Sequence, residues 1–230
     1  MSNNTNKSTL VDIIYDNIRR DITEHVLLPG QKINIKDLSD RYGASVTPIK
    51  LALNRLISEK IIENFPRHGM KVKSVKADEI DEIFDMRLML DLQYVHEIIT
   101  SVNFNEKLRE QLKDNVRVHK QIVTDLNSDF SVDSYLKIYH IDYMFHELYL
   151  KCSGNTKIVD LFQYINPFLY SNYLFQRQSR EKDIAGVKEH EIILNAILSE
   201  DEQALRDALH LHIDNAKQAV SLILKVDKML

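Results

Sequence analysis

Five glycines and four prolines are spread over 230 residues, and this scarcity of helix breakers is what most constrains the fold. Sheets joined by tight turns draw on such residues repeatedly, whereas a long helix tolerates neither in its interior. Leu, Ile, Glu, Lys and Asp are abundant, and 44% apolar with 28% charged residues is the balance of a globular chain. The expectation is a mostly α fold, long enough for two modest domains that each bury a core.

Charge divides the chain. Residues 1–76 carry 13 Lys/Arg and 8 Asp/Glu, a net of +5, while residues 77–230 carry 17 and 26, a net of −9. These two stretches read as domains with different partners. No run of about 18 apolar residues occurs, and Met1–Lys7 is polar without the apolar core of a signal peptide. Neither a membrane span nor export is expected, which places the protein in the cytoplasm. Cys152 is the only cysteine, so an intrachain disulfide and a thiolate metal cluster are excluded. It follows an apolar helix end and reads as a buried, inert thiol.

In the basic stretch, Leu10, Ile14, Ile18 and Ile22 recur at helical spacing, widened by Val11 and Tyr15, which predicts a helix from about 9 to 25. Pro29-Gly30 turns the chain. Asn34 can cap a second helix with Ile35, Leu38 and Tyr42 inward and Gly43 closing it. A third begins near Ser45 or Thr47, with Pro48 tolerated in its first turn. Ile49, Ala52, Leu53, Leu56 and Ile57 form its apolar stripe, so Val46, Thr47, Lys50, Asn54 and Arg55 point outward. Two short helices joined by Gly43-Ala44 make a helix-turn-helix. Residues 61–65 and 70–75 then alternate like two strands around Pro66-Arg67-His68-Gly69, which reads as a wing.

From Asp78 onward every segment reads as helix: about 78–100, 106–126, 131–152, 155–178, 184–198 and 202–226, with Ser131 and Asn155 as caps. Six helices with short loops predict an antiparallel bundle. Asp142 and His146 are an i, i+4 pair on one helical face. His190 and His212 lie symmetrically about a break at Ser199-Glu200-Asp201. In an antiparallel hairpin both sit about 16 Å from the turn and face each other. Three imidazoles and a carboxylate suit a divalent transition metal: zinc first, nickel or manganese next. His140 and His210 point about 200° away from their neighbouring ligands, and His25, His96 and His119 carry no motif.

Pro29-Gly30 through Leu38, Arg41 through Leu56, and Arg67-His68-Gly69 resemble the winged helix-turn-helix of GntR-family transcription regulators. The resemblance implies DNA contact through Arg41, Ser45, Thr47 and Lys50 in the major groove, with His68 and Gly69 of the wing near the minor groove. Val46 and Lys50 stand where that family usually has arginines, and Leu51 where it usually has glutamate. Fewer fork-like guanine contacts imply a different operator sequence and more reliance on phosphates.

Glu82 through Arg87, Asp142 through His146, Ser153-Gly154-Asn155, Glu189-His190, and Asp201 through His212 resemble the FCD ligand-binding domain of the FadR subgroup. That resemblance implies metal ligation by Asp142, His146, His190 and His212, with open positions for a small carboxylate effector. Arg87 and Arg177 are the candidates to pair with such an anion. The reading is a DNA-binding regulator, a homodimeric repressor controlled by its effector. A metal sensor and a metalloenzyme are the alternatives, and the latter lacks a general acid/base beside the four ligands.

Overall fold

The computed structural model describes residues 8–125, 131–177 and 179–227. They fall into two compact units: the described residues up to Val75 together with Ser171–Phe175, and Lys76–Tyr170 with the residues from Gln176 onward.

The first unit contains helix α1 (Leu10–Thr23), strand β1 (Lys32–Ile33), helices α2 (Ile35–Tyr42) and α3 (Val46–Ser58), and strands β2 (Ile62–Phe65) and β3 (Gly69–Val72). Thr9 and Asp12 form a reciprocal capping box at the start of α1, which satisfies amide groups that have no partner within the helix. Ile14, Ile18 and Ile22 are buried, whereas Leu10 is 55% exposed and drops out of the apolar stripe. Asn34 caps α2 by accepting from the Lys36 amide at 2.9 Å. Gly43, at φ 60, ends α2 in the left-handed region, where a Cβ is costly. On α3, Ile49, Ala52, Leu53 and Leu56 are fully buried, each large side chain contributing about 1.5–3 kcal/mol by leaving water.

Asp21 ties this unit together. Its carboxylate accepts from Tyr42 Oη at 2.6 Å and pairs with Arg41 Nε at 2.6 Å, while its carbonyl accepts from the amides of Val26 and Leu27. The wing turns at Arg67 (φ 67) and Gly69 (φ 85). The sheet order is β1-β3-β2, all antiparallel. The sequence reading missed β1, because two residues are too few to show alternation. From far along the chain, Asn172 accepts from Arg19 Nε at 3.3 Å, and Tyr173 Oη donates to the Lys73 carbonyl at 2.7 Å.

The second unit is helical: α4 (Ala77–Gln93), α5 (Val95–Phe104), α6 (Glu106–Asp125), α7 (Val132–Lys151), α8 (Thr156–Ile165), α9 (Arg180–Leu198) and α10 (Glu202–Asp227); the 3-10 turns Leu169–Tyr173 and Phe175–Arg177 lie partly in each unit. The chain is thus mostly α, a winged helix-turn-helix followed by a helical bundle. Ser131 and Asn155 cap α7 and α8 through the amides of Ser134 and Lys157. No described helix is long and apolar enough to cross a membrane. Burial pushes the Cys152 thiol up to about 12, so it is not a ready nucleophile.

Three helix limits correct the expectation of six helices. The first predicted helix divides at Tyr94 (φ −119, ψ 30) into α4 and α5. The Asp91 carbonyl there accepts from Tyr149 Oη at 2.8 Å and that of Leu92 from Arg206 at 3.2 Å. Side chains take up carbonyls at the end of the ladder, and the helix breaks. The helix expected to reach Gln178 ends at Ile165, because Asn166 adopts φ 45 and Pro167 follows it; a residue before proline is pushed out of the α region. Helix α9 begins at Arg180, four residues before the expected Ile184. The expected helix ends at Leu126 and Gln178, and the polar segment Met1–Lys7, lie outside the described residues.

Candidate metal and effector site

Helix α7 supplies Asp142 and His146 one turn apart, α9 supplies His190 and α10 His212. Ser199 and Glu200 (φ 58) make the turn between α9 and α10, and the His190 and His212 rings lie 4.9 Å apart by centroid. One ligand atom from each of the four residues lies within 4.8 Å of all the others. His146 Nε2 is 3.0 Å from His212 Nε2, and His190 Nε2 is 3.1 Å from Asp142 Oδ1. His146, His190 and His212 are buried, and 21% of the Asp142 side chain is exposed.

The donor set and its spacing fit a transition metal. On a shell of about 2.1 Å radius ligand atoms stand about 3.4 Å apart in a tetrahedron and at most about 4.2 Å apart when opposed, so atoms within 4.8 Å of one another need to draw in by roughly 0.6–1.4 Å. His190 Nδ1 is buried without a hydrogen-bond partner, and His190 Nε2 and His146 Nδ1, although 3.1 and 3.3 Å from carboxylate oxygens of Asp142 and Asp91, make no hydrogen bond to them. Orphaned buried nitrogens are costly unless a ligand completes them.

A second ring of charged groups surrounds the four. Glu189 Oε2 is 2.8 Å from His212 Nδ1, with its Oε1 accepting from Asn215 Nδ2 at 2.7 Å. Asp91 Oδ2 lies 3.3 Å from His146 Nδ1. Glu189 in this place holds the His212 ring with Nε2 toward the centre, whereas Asp91 stands behind His146 Nδ1 without a hydrogen bond to it. Arg87, on α4, is buried; one of its terminal nitrogens is 3.3 Å from His212 Nε2 and its guanidinium lies 4.6 Å from the Phe168 ring centroid.

Electrostatics favours open donors. Burial, then the fields of Arg87 and His212, hold His146 well below the ordinary imidazole value. Burial also lowers His190, against the opposing pull of Asp142. Burial works against ionisation of Asp142, but contact with His190 and the fields of His119 and Arg87 outweigh it and keep the carboxyl well below its usual range. Burial raises Asp91 to about 7, partly offset by Arg87. Neutral imidazoles and a carboxylate are the forms that bind a metal.

Of the two candidate arginines, Arg87 is buried beside the histidines, whereas Arg177 is exposed on the turn Phe175–Arg177. His140 and His210 are exposed. Asp91, which no motif marks, and His119, set apart from the ligand set above, both lie beside the cluster. His119 is buried, with its ring 5.4 Å from that of His190. It had a legible signal: Leu112, Val116, His119 and Val123 share one buried face of α6, so this histidine occupies a core position.

On the first unit, Arg41, Ser45, Thr47, Lys50, His68 and Gly69 are all exposed. Arg41 is also held by Asp21. Val46 and Leu51, 45% and 50% exposed, put apolar surface on the same helix. Arg55 is tethered to Asp12 at 2.7 Å and lies over the Tyr15 ring.

Comparison with known proteins agrees with both units. Residues 10–72 match the family described as bacterial regulatory proteins, gntR family, and residues 82–215 match the FCD domain. YdhC of Bacillus subtilis, an HTH-type transcriptional regulator, is 21% identical over 216 residues, 93% of this chain and 92% of that protein. The gluconate operon transcriptional repressor of Bacillus licheniformis is 26% identical over 208 residues, 88% and 82% of the two chains. The structure of Escherichia coli McbR/YncC superposes with a TM-score of 0.68 at 18% identity, covering 93% of this chain and 98% of that one. These relatives are regulators rather than enzymes, which removes the metalloenzyme alternative. The FCD match alone spans more than half of the chain, and with the winged helix before it the chain belongs to the GntR family of transcriptional regulators, carrying an FCD ligand-binding domain.

Proposed function

We propose that this regulator is a metal-dependent repressor of the FadR subgroup, released from its operator by a small carboxylate. The observation that carries the reading is the convergence of Asp142, His146, His190 and His212 within 4.8 Å, with the buried cation Arg87 at its edge. The metal, zinc first with nickel or manganese next, would supply Lewis acidity toward a carboxylate oxygen. Asp142 and the three histidines hold it, Glu189 orients the His212 ring, and Arg87 receives the rest of the anion. The exposed Arg177 keeps a second claim to the effector only if that segment moves.

Residues 1–76 form the DNA-binding domain and 77–230 the effector and dimerisation domain. Arg41, Ser45, Thr47 and Lys50 face the major groove and His68 and Gly69 the minor groove of double-stranded DNA in the cytoplasm. A homodimer matches the two-fold symmetry of such operators. Repression is favoured over activation because relatives at 24% and 26% identity are repressors.

The test is elemental analysis of untagged protein followed by operator titration with and without carboxylates. About one ion per chain, and operator affinity that falls with a carboxylate present, is the expected result. A protein that takes up no zinc, nickel or manganese sinks the reading. Operator affinity that responds to metal alone makes the ion itself the signal.

A further inference from the structure

Helix α3 carries its outward side chains in an arrangement that selects among base pairs. Ile49, Ala52, Leu53 and Leu56 face the interior of the first unit. The opposite face therefore holds Thr47, Leu51 and Asn54 at i, i+4 and i+7, with Val46 and Lys50 beside them. All five are exposed, Val46 at 45% and Leu51 at 50%. The helix contains no Asp or Glu, whereas α1 has three and α2 has two. It thus offers phosphates a cation with no carboxylate to repel them, within a stretch, residues 1–76, whose net charge is +5.

The chemistry of this face matches one kind of base pair. Guanine is read by a free guanidinium fork on O6 and N7. The arginine of α3 is committed elsewhere: Arg55 pairs with Asp12 at 2.7 Å and lies 4.1 Å from the Tyr15 ring centroid. Lys50 remains, and a lysine meets a phosphate as a point charge without needing a fork. Asparagine suits adenine N6 and N7, and among the four bases only thymine presents an apolar group in the major groove, its C5-methyl. A lone exposed aliphatic residue needs no explanation. Two of them flanking a lysine in the first two turns of the second helix of a helix-turn-helix, the turns that meet base edges, have that methyl as their counterpart.

We propose that Val46 and Leu51 read thymine C5-methyl groups in the major groove, so that each operator half-site presents A·T pairs to α3 where a free arginine would call for guanine. The proposal rests on the assignment of the winged unit to double-stranded DNA. It divides the labour on α3 between Lys50, which holds the backbone, and two aliphatic side chains that discriminate.

The experiment uses the full chain. Bound duplexes are selected from a pool of randomised double-stranded DNA, and thymines of the selected duplex are replaced one at a time by deoxyuridine, which removes the methyl and keeps the base pair. Affinity is read by fluorescence anisotropy at one salt concentration for the wild type, Val46→Ala and Leu51→Ala, with thermal melting recorded for each. The quantity compared is the ratio of thymine to uracil affinity within each protein, so that a general loss of binding cancels. In the wild type at least one thymine per half-site should show a ratio of about fourfold, the effect of one buried methyl, and about 15-fold when both half-sites are changed. In each alanine variant the ratio should fall below about twofold at the thymine its side chain touched and persist at the others.

A wild type indifferent to every uracil replacement overturns the proposal and leaves DNA binding intact. Selected half-sites with no recurring thymine do the same. A ratio undiminished in both variants overturns it by placing the methyl contact elsewhere on the protein. A chain that enriches no duplex from the pool fails the assignment to DNA, and the proposal with it.

Discussion

The two units handle their polar side chains in opposite ways. In the winged unit the residues assigned to DNA are exposed, and the buried acidic residue Asp21 is matched by Tyr42 and Arg41. In the bundle, polar groups are buried around one point, and several atoms of Asp91, Asn115, His119, His146 and His190 have no hydrogen-bond partner. A surface read from outside costs the fold little, because water satisfies it until DNA arrives. A buried site is paid for in stability unless something completes it. The bundle is therefore where a ligand can shift an equilibrium strongly, and the winged unit is where sequence can change cheaply.

The largest break in that contrast should come from the His190→Ala/His212→Ala double variant. Elemental analysis should find metal content falling from about one ion per chain to none, since two of four ligands are gone. Acid should act in the same direction and can sharpen the point. Burial holds His146 and His190 below the ordinary imidazole value, so at these two rings protons compete with metal only below a pH of about 6.5. Chelator competition should show an affinity that is flat through neutral pH and falls in acid; a fall beginning above neutrality would contradict the burial argument.

Next in size is Arg87→Met, which should weaken carboxylate binding by about 10–100-fold while leaving metal content alone. Arg87→Lys keeps the charge but loses the planar fork, and should recover only part of the affinity. Calorimetry with the metal-loaded protein separates these. Equal carboxylate affinity in the wild type and Arg87→Met would remove Arg87 from the effector site.

In the winged unit, Asp21→Ala should cost about 1–3 kcal/mol by leaving the part-buried Tyr42 hydroxyl unmatched, measured by urea unfolding, with metal content unchanged. A loss under about 0.5 kcal/mol, the range of an ordinary surface substitution, would mean that Asp21 is not the hub described. The smallest effect belongs to Lys50→Ala. It should weaken operator and random DNA alike and lower the slope of log affinity against log salt by about one. A selective loss at the operator would instead make Lys50 a base reader.

Much of this was written locally. The stripes on α1 and α3 and the caps Asn34, Ser131 and Asn155 could be read because periodicity and capping act over a few residues. The pairing of His190 with His212 was legible for the same reason, since a short turn at Ser199 and Glu200 fixes an antiparallel hairpin. Pro167 is a local signal as well, since the residue before a proline leaves the α region, and α8 ends there. The break at Tyr94 was not local: it depends on Tyr149 and Arg206, which come from α7 and α10 to take up carbonyls of α4 and α5.

By itself, then, the sequence determined the helical class, the winged helix-turn-helix, the charge contrast and the four residues that could meet around a metal. Tertiary structure alone decided that Arg87 rather than Arg177 is buried beside them, that Asp91 and Glu189 stand behind two of the rings, and that Ser171–Phe175 joins the first unit. The division has a physical cause. Periodicity is set by the geometry of one helix, whereas burial, and the unmet hydrogen bonds of Asn115 and His119 that follow from it, arise only when several helices exclude water from the same place.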